Sequence, residues 1–153
     1  MDDGIEELPP LPGDAAAFVE RTIEEEHGYL SWLGTGVESI DRGRVALTVP
    51  FDEKLTNPDG ETVHGGVAAT LIDTAGGIAQ RTCIEDPLDA GVATVNLNVN
   101  YLRRATGDLR AVAEVIRHGR TVGVSDLRVE SRTPDGELRE VVSGQGSYRL
   151  FRE

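Results

Sequence analysis

The chain has 153 residues, enough for one ordinary domain with a core that folds without staples. A net charge of −12 argues against binding a phosphate backbone, which calls for a basic surface, and a single cysteine, Cys83, rules out an intrachain disulfide. No apolar run reaches the roughly 18 residues of a spanning helix, and the opening MDDGIEELPPLPGD is acidic and proline-rich, the reverse of a secretory signal, so a soluble cytoplasmic protein is expected.

Residues 1–13 read as a flexible acidic tail, and residues 14–153 as one domain without internal repeats. Asp14 is an N-cap candidate for a helix running to about His27, with Gly28 as its stop. YLSWLGTGVESID then leads into a hairpin, and RVALTVPF places Val45, Leu47 and Val49 on one face with a period of two. The loop NPDGETV runs into a helix predicted over 64–81, HGGVAATLIDTAGGIAQR, and a turn-rich CIEDPLDAG follows. VATVNLNVNYL alternates Val95, Leu97, Val99 and Tyr101 against Thr94, Asn96, Asn98 and Asn100. DLRAVAEVIRH, TVGVSDLRVES and ELREVVSGQGSYRL read as three more strands. The linkers RRATG, HGR and RTPDG are short, so neighbouring strands should run antiparallel. A long helix with an apolar face needs a sheet to cover it, which gives an α+β fold with a curved antiparallel sheet wrapped around one central helix.

Composition adds two expectations. His27, His64 and His118 are far apart and no Cys/His cluster exists, so no metal site is expected. Lys54 is the sole lysine beside fourteen arginines. Abundant carboxylates with almost no lysine resemble proteins of salt-loving organisms, whose acidic surfaces hold water while salt screens their repulsion. A GC-rich genome that favours arginine codons is the alternative.

The central helix carries the chemistry. At about 100° per residue, Val67, Ala68, Leu71, Ile72, Ala75, Ile78 and Ala79 fall on one arc of roughly 140°, the face that packs on the sheet. Asp73 lies almost opposite, among Gly66, Ala69, Thr70, Gly76 and Gly77. A plain solvent face would carry long side chains of good helix propensity, so small residues around one carboxylate suggest close approach by a ligand or another surface. A solvated or arginine-paired aspartate is the simpler alternative. His64 either caps the helix or serves a site. Gly65 and Gly66 open the unpaired N–H groups of the helix N-terminus to a ligand, an arrangement that suits a developing oxyanion. No G-x-x-x-x-G-K-[ST] pattern accompanies them, so a nucleotide P-loop is rejected, and no G-x-S-x-G elbow is present. On one straight helix His64 and Asp73 fall on opposite faces, separated by roughly 13 Å along the axis. They cannot easily serve one reaction centre in one subunit, so either one is not catalytic or a second chain completes the site.

The pattern resembles the hot-dog-fold acyl-CoA thioesterases of the PaaI-like group over about residues 30–150. Asn57, V-H-G-G at 63–66, L-I-D-T-A at 71–75 and the strand N-L-N-V-N-Y-L at 96–102 carry the resemblance. It implies that two subunits pair into one continuous sheet, as a homodimer or homotetramer, with active sites at their interface. By the same resemblance Asp73 is the general base that activates water, or a nucleophile forming a transient anhydride. Gly65 N–H polarises the thioester carbonyl, Gly66 keeps the turn tight, His64 and Asn57 orient carbonyl and water, and Thr94 helps hold the water. No cofactor is implied beyond coenzyme A as part of the substrate. Arg103, Arg104, Arg117 and Arg120 are candidates for its phosphates, since arginine suits bidentate phosphate contacts, with pairing to nearby carboxylates as the alternative. A non-catalytic acyl-CoA-binding module is the competing reading. A dehydratase would need a histidine and an acid together in one chain, which the spacing disfavours.

Overall fold

The computed structural model describes residues 8–89 and 91–152, so most of the expected acidic tail, residues 1–7, lies outside the described residues. Three short helical pieces precede the sheet: α1 (Gly13–Arg21), a π-helical turn (Thr22–Glu26) and α2 (Gly28–Leu33). Gly28 therefore opens a second helix instead of only stopping the first. The His27 side chain caps it by accepting the Leu30 N–H, and Gly34, at φ 80°, ends it in the left-handed conformation that glycine adopts without strain. Ahead of α1, the Pro9 carbonyl accepts from Arg42, which ties the described end of the tail to the domain.

The hairpin β1 (Gly36–Asp41) and β2 (Arg44–Val49) leads to the long helix α3 (Gly65–Thr82). The strands β3 (Gly91–Tyr101), β4 (Leu109–His118), β5 (Val122–Arg132) and β6 (Leu138–Phe151) follow. All pairings are antiparallel, in one sheet of order β1-β2-β4-β5-β6-β3. Strands β2 to β6 pack against α3, whose Leu71, Ile72, Ala75 and Ala79 are fully buried. Each large aliphatic side chain among them contributes about 1.5–3 kcal/mol through burial. This is the hot-dog arrangement: a sheet curled around a central helix.

Two expectations need correction. The linker RRATG does not join neighbours. β3 lies at the edge against β6, and residues 102–108 carry the chain past β6 and β5 to β4. Crossing three inter-strand spacings covers about 14 Å, well within the roughly 24 Å that seven extended residues reach. The strict alternation of β3 also fails. Thr94 pairs with Tyr148 and Asn96 with Ser147, so Val95 is an extra residue in a β-bulge. Val95 is 65% exposed, while Thr94 turns to the helix side with Leu97 and Val99. A periodicity of two cannot register the extra residue, because the bulge is fixed by pairing with a strand about fifty residues away.

Candidate functional site

Two cavities flank α3, and they share no lining residue. The first, of about 390 Å³, contains Asp73. The aspartate is half-buried, and its Oδ1 accepts the Thr94 hydroxyl proton at 2.6 Å. The bulge at Val95 is what turns Thr94 towards it. On the next strand the Tyr148 hydroxyl donates to the Asp73 main-chain carbonyl at 3.2 Å. Burial pushes the Tyr148 phenol well above its ordinary range, and the charge of Asp73 adds to the effect, so the phenol stays a donor. Among the described residues, Thr94 is the side chain that hydrogen-bonds the Asp73 carboxylate.

Tyr148 also explains part of the small-residue surface. A Cβ at Gly76 would lie 2.1 Å from its hydroxyl oxygen, so this glycine serves internal packing. Gly76 is buried, so it does not belong to the exposed face on which the sequence places it. Gly77 differs: a Cβ there would meet only Tyr148 and Val92 at 3.6–3.9 Å, ordinary contact, and the residue lines the cavity.

The second cavity, of about 280 Å³, gathers Asn57, His64, Gly65, Tyr101, Arg103 and Arg104. His64 is the N-cap of α3, its Nδ1 accepting the Gly66 N–H at 2.8 Å. That interaction requires glycine at 66, since a Cβ would approach His64 Nδ1 to 2.8 Å. With the Gly66 N–H engaged, the Gly65 N–H at the first helical position donates to no acceptor among the described residues. The Gly65 carbonyl accepts from the Tyr101 hydroxyl at 2.8 Å, which fixes the plane of the next peptide. Asn57 sits in the preceding loop, where its carbonyl accepts the Gly60 N–H and its N–H donates to the Thr62 carbonyl.

That loop is braced by Asp59. Its carboxylate accepts the Thr62 and Glu61 N–H groups at 2.9 Å and the Thr62 hydroxyl at 2.7 Å. These donors, led by the Thr62 N–H, hold the Asp59 carboxyl down to about 2. Arg104 contacts the same cluster, donating to the Thr62 hydroxyl and lying 3.6 Å from Asp59 and 3.8 Å from Glu61. Arg104 is thus engaged with the loop, whereas Arg103 lines the cavity with no carboxylate partner among the described residues. Arg117 and Arg120 are elsewhere. Arg117 lies near the far end of β4 and Arg120 in the turn beyond it, and the ten-residue strand separates them from Arg103 and Arg104 by roughly 30 Å. One chain does not assemble all four arginines around one ligand.

Near that far end lies a polar cluster that the apolar pattern of α3 conceals. Gln80 is fully buried, and its amide donates to the Ser125 hydroxyl at 2.9 Å and the Arg117 carbonyl at 3.3 Å. Its oxygen pairs with His118 Nδ1 at 2.9 Å, and Arg152 donates to His118 Nε2 at 2.7 Å. A Cβ at Gly123 would stand 1.9 Å from the Gln80 oxygen, so that glycine admits the amide. The lone glutamine beside Ala79 in an otherwise small and apolar segment was the available signal.

Residues 60–137 match the model of the thioesterase superfamily. A protein of Halobacterium salinarum named as a "putative esterase" is 51% identical over 144 residues, spanning 92% of this chain and 95% of its own length. The chain belongs to the thioesterase superfamily. Among solved structures, a thioesterase family protein from Silicibacter pomeroyi superposes with a TM-score of 0.79 at 28% identity, covering 90% of this chain and 98% of that one. The PaaI protein of the E. coli phenylacetic acid degradation operon superposes at 0.76 with 21% identity over 93% and 96% of the two chains, a likeness of fold alone. The superfamily match spans both flanks of α3, from the loop before His64 to the end of β5. It begins after the hairpin, so α1, the π-helical turn and α2 lie outside it.

Proposed function

We propose that this thioesterase-superfamily chain hydrolyses an acyl-CoA thioester in a reaction centre completed by a second copy of itself. One observation carries the reading: the Asp73 carboxylate and the unengaged Gly65 N–H stand in separate cavities on opposite flanks of one helix. The edge strand supports the pairing. β3 is bonded to β6 on one side only among the described residues, and it exposes Val95 and Tyr101. Two β3 edges joined antiparallel bring the Thr94 end of one, with Asp73 behind it, beside the Tyr101 end of the other, with its Gly65 turn. The assembly is a homodimer or a homotetramer built from it.

In this reading Asp73, oriented by Thr94, takes a proton from water as the oxygen attacks the thioester carbonyl. The new C–O bond moves charge onto the carbonyl oxygen, which the partner's Gly65 N–H and helix N-terminus stabilise. Collapse breaks the C–S bond, and the CoA sulfur leaves as thiolate and takes up a proton. His64 holds the turn in shape by capping it, and Asn57 in the same cavity is placed to orient the carbonyl or the water. Arg103 is the best-placed group for a CoA phosphate at the Gly65 turn, and Arg117 and Arg120 would reach the ligand only from the other chain. The absence of any helix long and apolar enough to cross a membrane, among the described residues, fits a cytoplasmic site of action. The acidic, lysine-poor composition and the Halobacterium relative support a salt-adapted protein.

The test is thiol release from a panel of acyl-CoAs by the wild type and by Asp73→Ala and Asp73→Asn. Loss of about 10²–10⁴ in kcat with Asp73→Asn is expected for a general base. Variants as fast as the wild type would exclude this mechanism, and tight binding without turnover by the wild type would favour the acyl-CoA-binding module.

A further inference from the structure

The cavity at Asp73 has two walls of different origin. One comes from the central helix and the sheet: Asp73, Gly77 and Ile78 of α3 with Val92, Thr94 and Tyr148 of the strands. The facing wall comes from the N-terminal helical pieces, through Phe18, Val19, Ile23, His27 and Leu30. These pieces precede residues 60–137, the span that matches the superfamily model. Only part of them packs inward. Ile23 and Leu30 are buried, while Phe18 is 41% exposed at the cavity and His27 is exposed.

The chemistry of this wall is largely apolar. The Thr22 hydroxyl donates to the Phe18 carbonyl and the Thr74 hydroxyl to the Thr70 carbonyl, so both spend their protons on their own helices. Arg81, on the α3 side, donates to the Pro87 carbonyl, and His27 is the polar side chain of the N-terminal pieces that keeps a donor. Its Nδ1 accepts the Leu30 N–H at 3.2 Å, which places the proton of the neutral ring on Nε2, and that nitrogen has no acceptor among the described residues.

Gly77 supplies an independent observation. Glycine is among the poorest residues inside a helix, and neither φ nor a steric clash requires it here. Its neighbour Gly76 shows what a packing requirement looks like, with a Cβ driven to 2.1 Å from Tyr148. What glycine at 77 does provide is empty space one helical turn from Asp73, inside the cavity. The volume of about 390 Å³ is near the lower end of small-molecule pockets, about 300–1,000 Å³.

We infer that the N-terminal helical segment, through Phe18, Ile23 and His27, together with the missing side chain at Gly77, forms the acyl-selecting wall of the site and restricts it to compact, mainly apolar acyl groups. The inference rests on the acyl-CoA hydrolase reading and adds which residues choose the acyl group. Gly77 sets the depth of the chamber, Phe18 closes its open side, and His27 Nε2–H offers a donor to an oxygen on the acyl group.

The experiment compares the full-length wild type with Gly77→Ala and Phe18→Ala on acetyl-, butyryl-, hexanoyl-, octanoyl- and palmitoyl-CoA. The readout is the ratio of kcat/KM for hexanoyl-CoA to that for acetyl-CoA. Gly77→Ala is expected to lower this ratio by about tenfold, the scale of one methylene in an apolar pocket, with an unfolding midpoint equal to or above the wild type. Phe18→Ala should move the optimum towards longer chains. Equal chain-length profiles in all three proteins overturn the inference while leaving the hydrolase reading intact. If the wild type hydrolyses none of the panel, that reading fails, and calorimetric binding of the same CoA esters tests the wall instead. A binding profile that shifts in the variants supports it; an unshifted profile, or no binding at all, overturns it.

Discussion

Thr94 reaches Asp73 because Val95 is bulged out of β3. Without the extra residue, Thr94 would share the outer face of the sheet with Asn96, and its 2.6 Å bond to the carboxylate could not form. The contact fixes one carboxylate oxygen, and in the proposed mechanism the other is the one that meets water. Thr94→Val is therefore expected to lower kcat about tenfold with little change in KM, and Thr94→Ser to restore most of it. Steady-state kinetics on the best substrate decides, and a Val variant with wild-type kcat would remove Thr94 from the mechanism.

A shared reaction centre predicts complementation. Gly65→Pro deletes the proposed oxyanion N–H at a position where proline suits the helix start, and His64, at φ −55° and ψ 133°, already has the conformation a residue takes before proline. The exposed Tyr101 ring, 2.9 Å from a Cβ at 65, must move aside. Asp73→Asn and Gly65→Pro should each be nearly inactive. After co-refolding, mixed dimers contain one intact site, so activity should return to about a quarter of wild type for twofold-symmetric dimers. No recovery in verified heterodimers places both groups in one chain's site and refutes the shared centre.

Gly76 and Tyr148 form a steric pair. Gly76→Ala should destabilise the protein by about 2–3 kcal/mol, because the phenol must leave its buried seat. In a Tyr148→Phe background the same substitution should cost less, since the closest atom is gone. Urea denaturation of the four proteins measures the coupling, and additivity would show that the phenol yields freely.

Asp59 makes the loop before His64 sensitive to acid. Its folded-state carboxyl is held to about 2, below the ordinary 3.8, by the Thr62 and Glu61 N–H groups and the Thr62 hydroxyl. A depressed carboxyl contributes stability that is fully present above the ordinary value and is lost as pH falls from about 3.8 through about 2. The group lies in an exposed surface loop, so the effect should be local: carboxyl resonances of Asp59 should titrate near 2, and loop amides should broaden in that window. In Asp59→Asn the amide's single oxygen cannot serve all three donors, so the loop should be looser already at neutral pH. Titration of Asp59 near 4 would contradict the bracing.

The charge of −12 bears on salt. Carboxylate repulsion falls with ionic strength, so the thermal midpoint should rise from low to molar KCl. A flat or falling midpoint would attribute the lysine-poor composition to codon usage.

Much of this is legible in the sequence. The span of α3, its buried face and the strands β4 to β6 follow from local period and turn residues, and observed limits differ by about one residue. The opposite-flank placement of His64 and Asp73 followed from helical pitch alone. What escaped depends on distant partners. The edge position of β3 and its bulge are set by β6, the need for Gly76 by Tyr148, and the burial of Gln80 by Gly123 and His118. Arg104 has its carboxylates in the loop at Asp59 and Glu61, roughly forty positions upstream, which no motif reveals. α2 was missed because a glycine that opens a helix looks the same in sequence as one that closes it.

Both ends of α3 are anchored to the sheet. Tyr101 holds the Gly65 carbonyl at one end, and Gln80 is clasped by Ser125, His118 and the Arg117 carbonyl at the other. These contacts set the register of the helix on the sheet, so the helix acts as a gauge between the Gly65 turn and the Asp73 carboxylate. One inserted residue between positions 66 and 72 would rotate them relative to each other by about 100° and lengthen the gauge by about 1.5 Å. In the proposed shared centre each half would survive such an insertion intact, yet the two would no longer meet, so that centre tolerates substitutions along this helix far better than insertions or deletions.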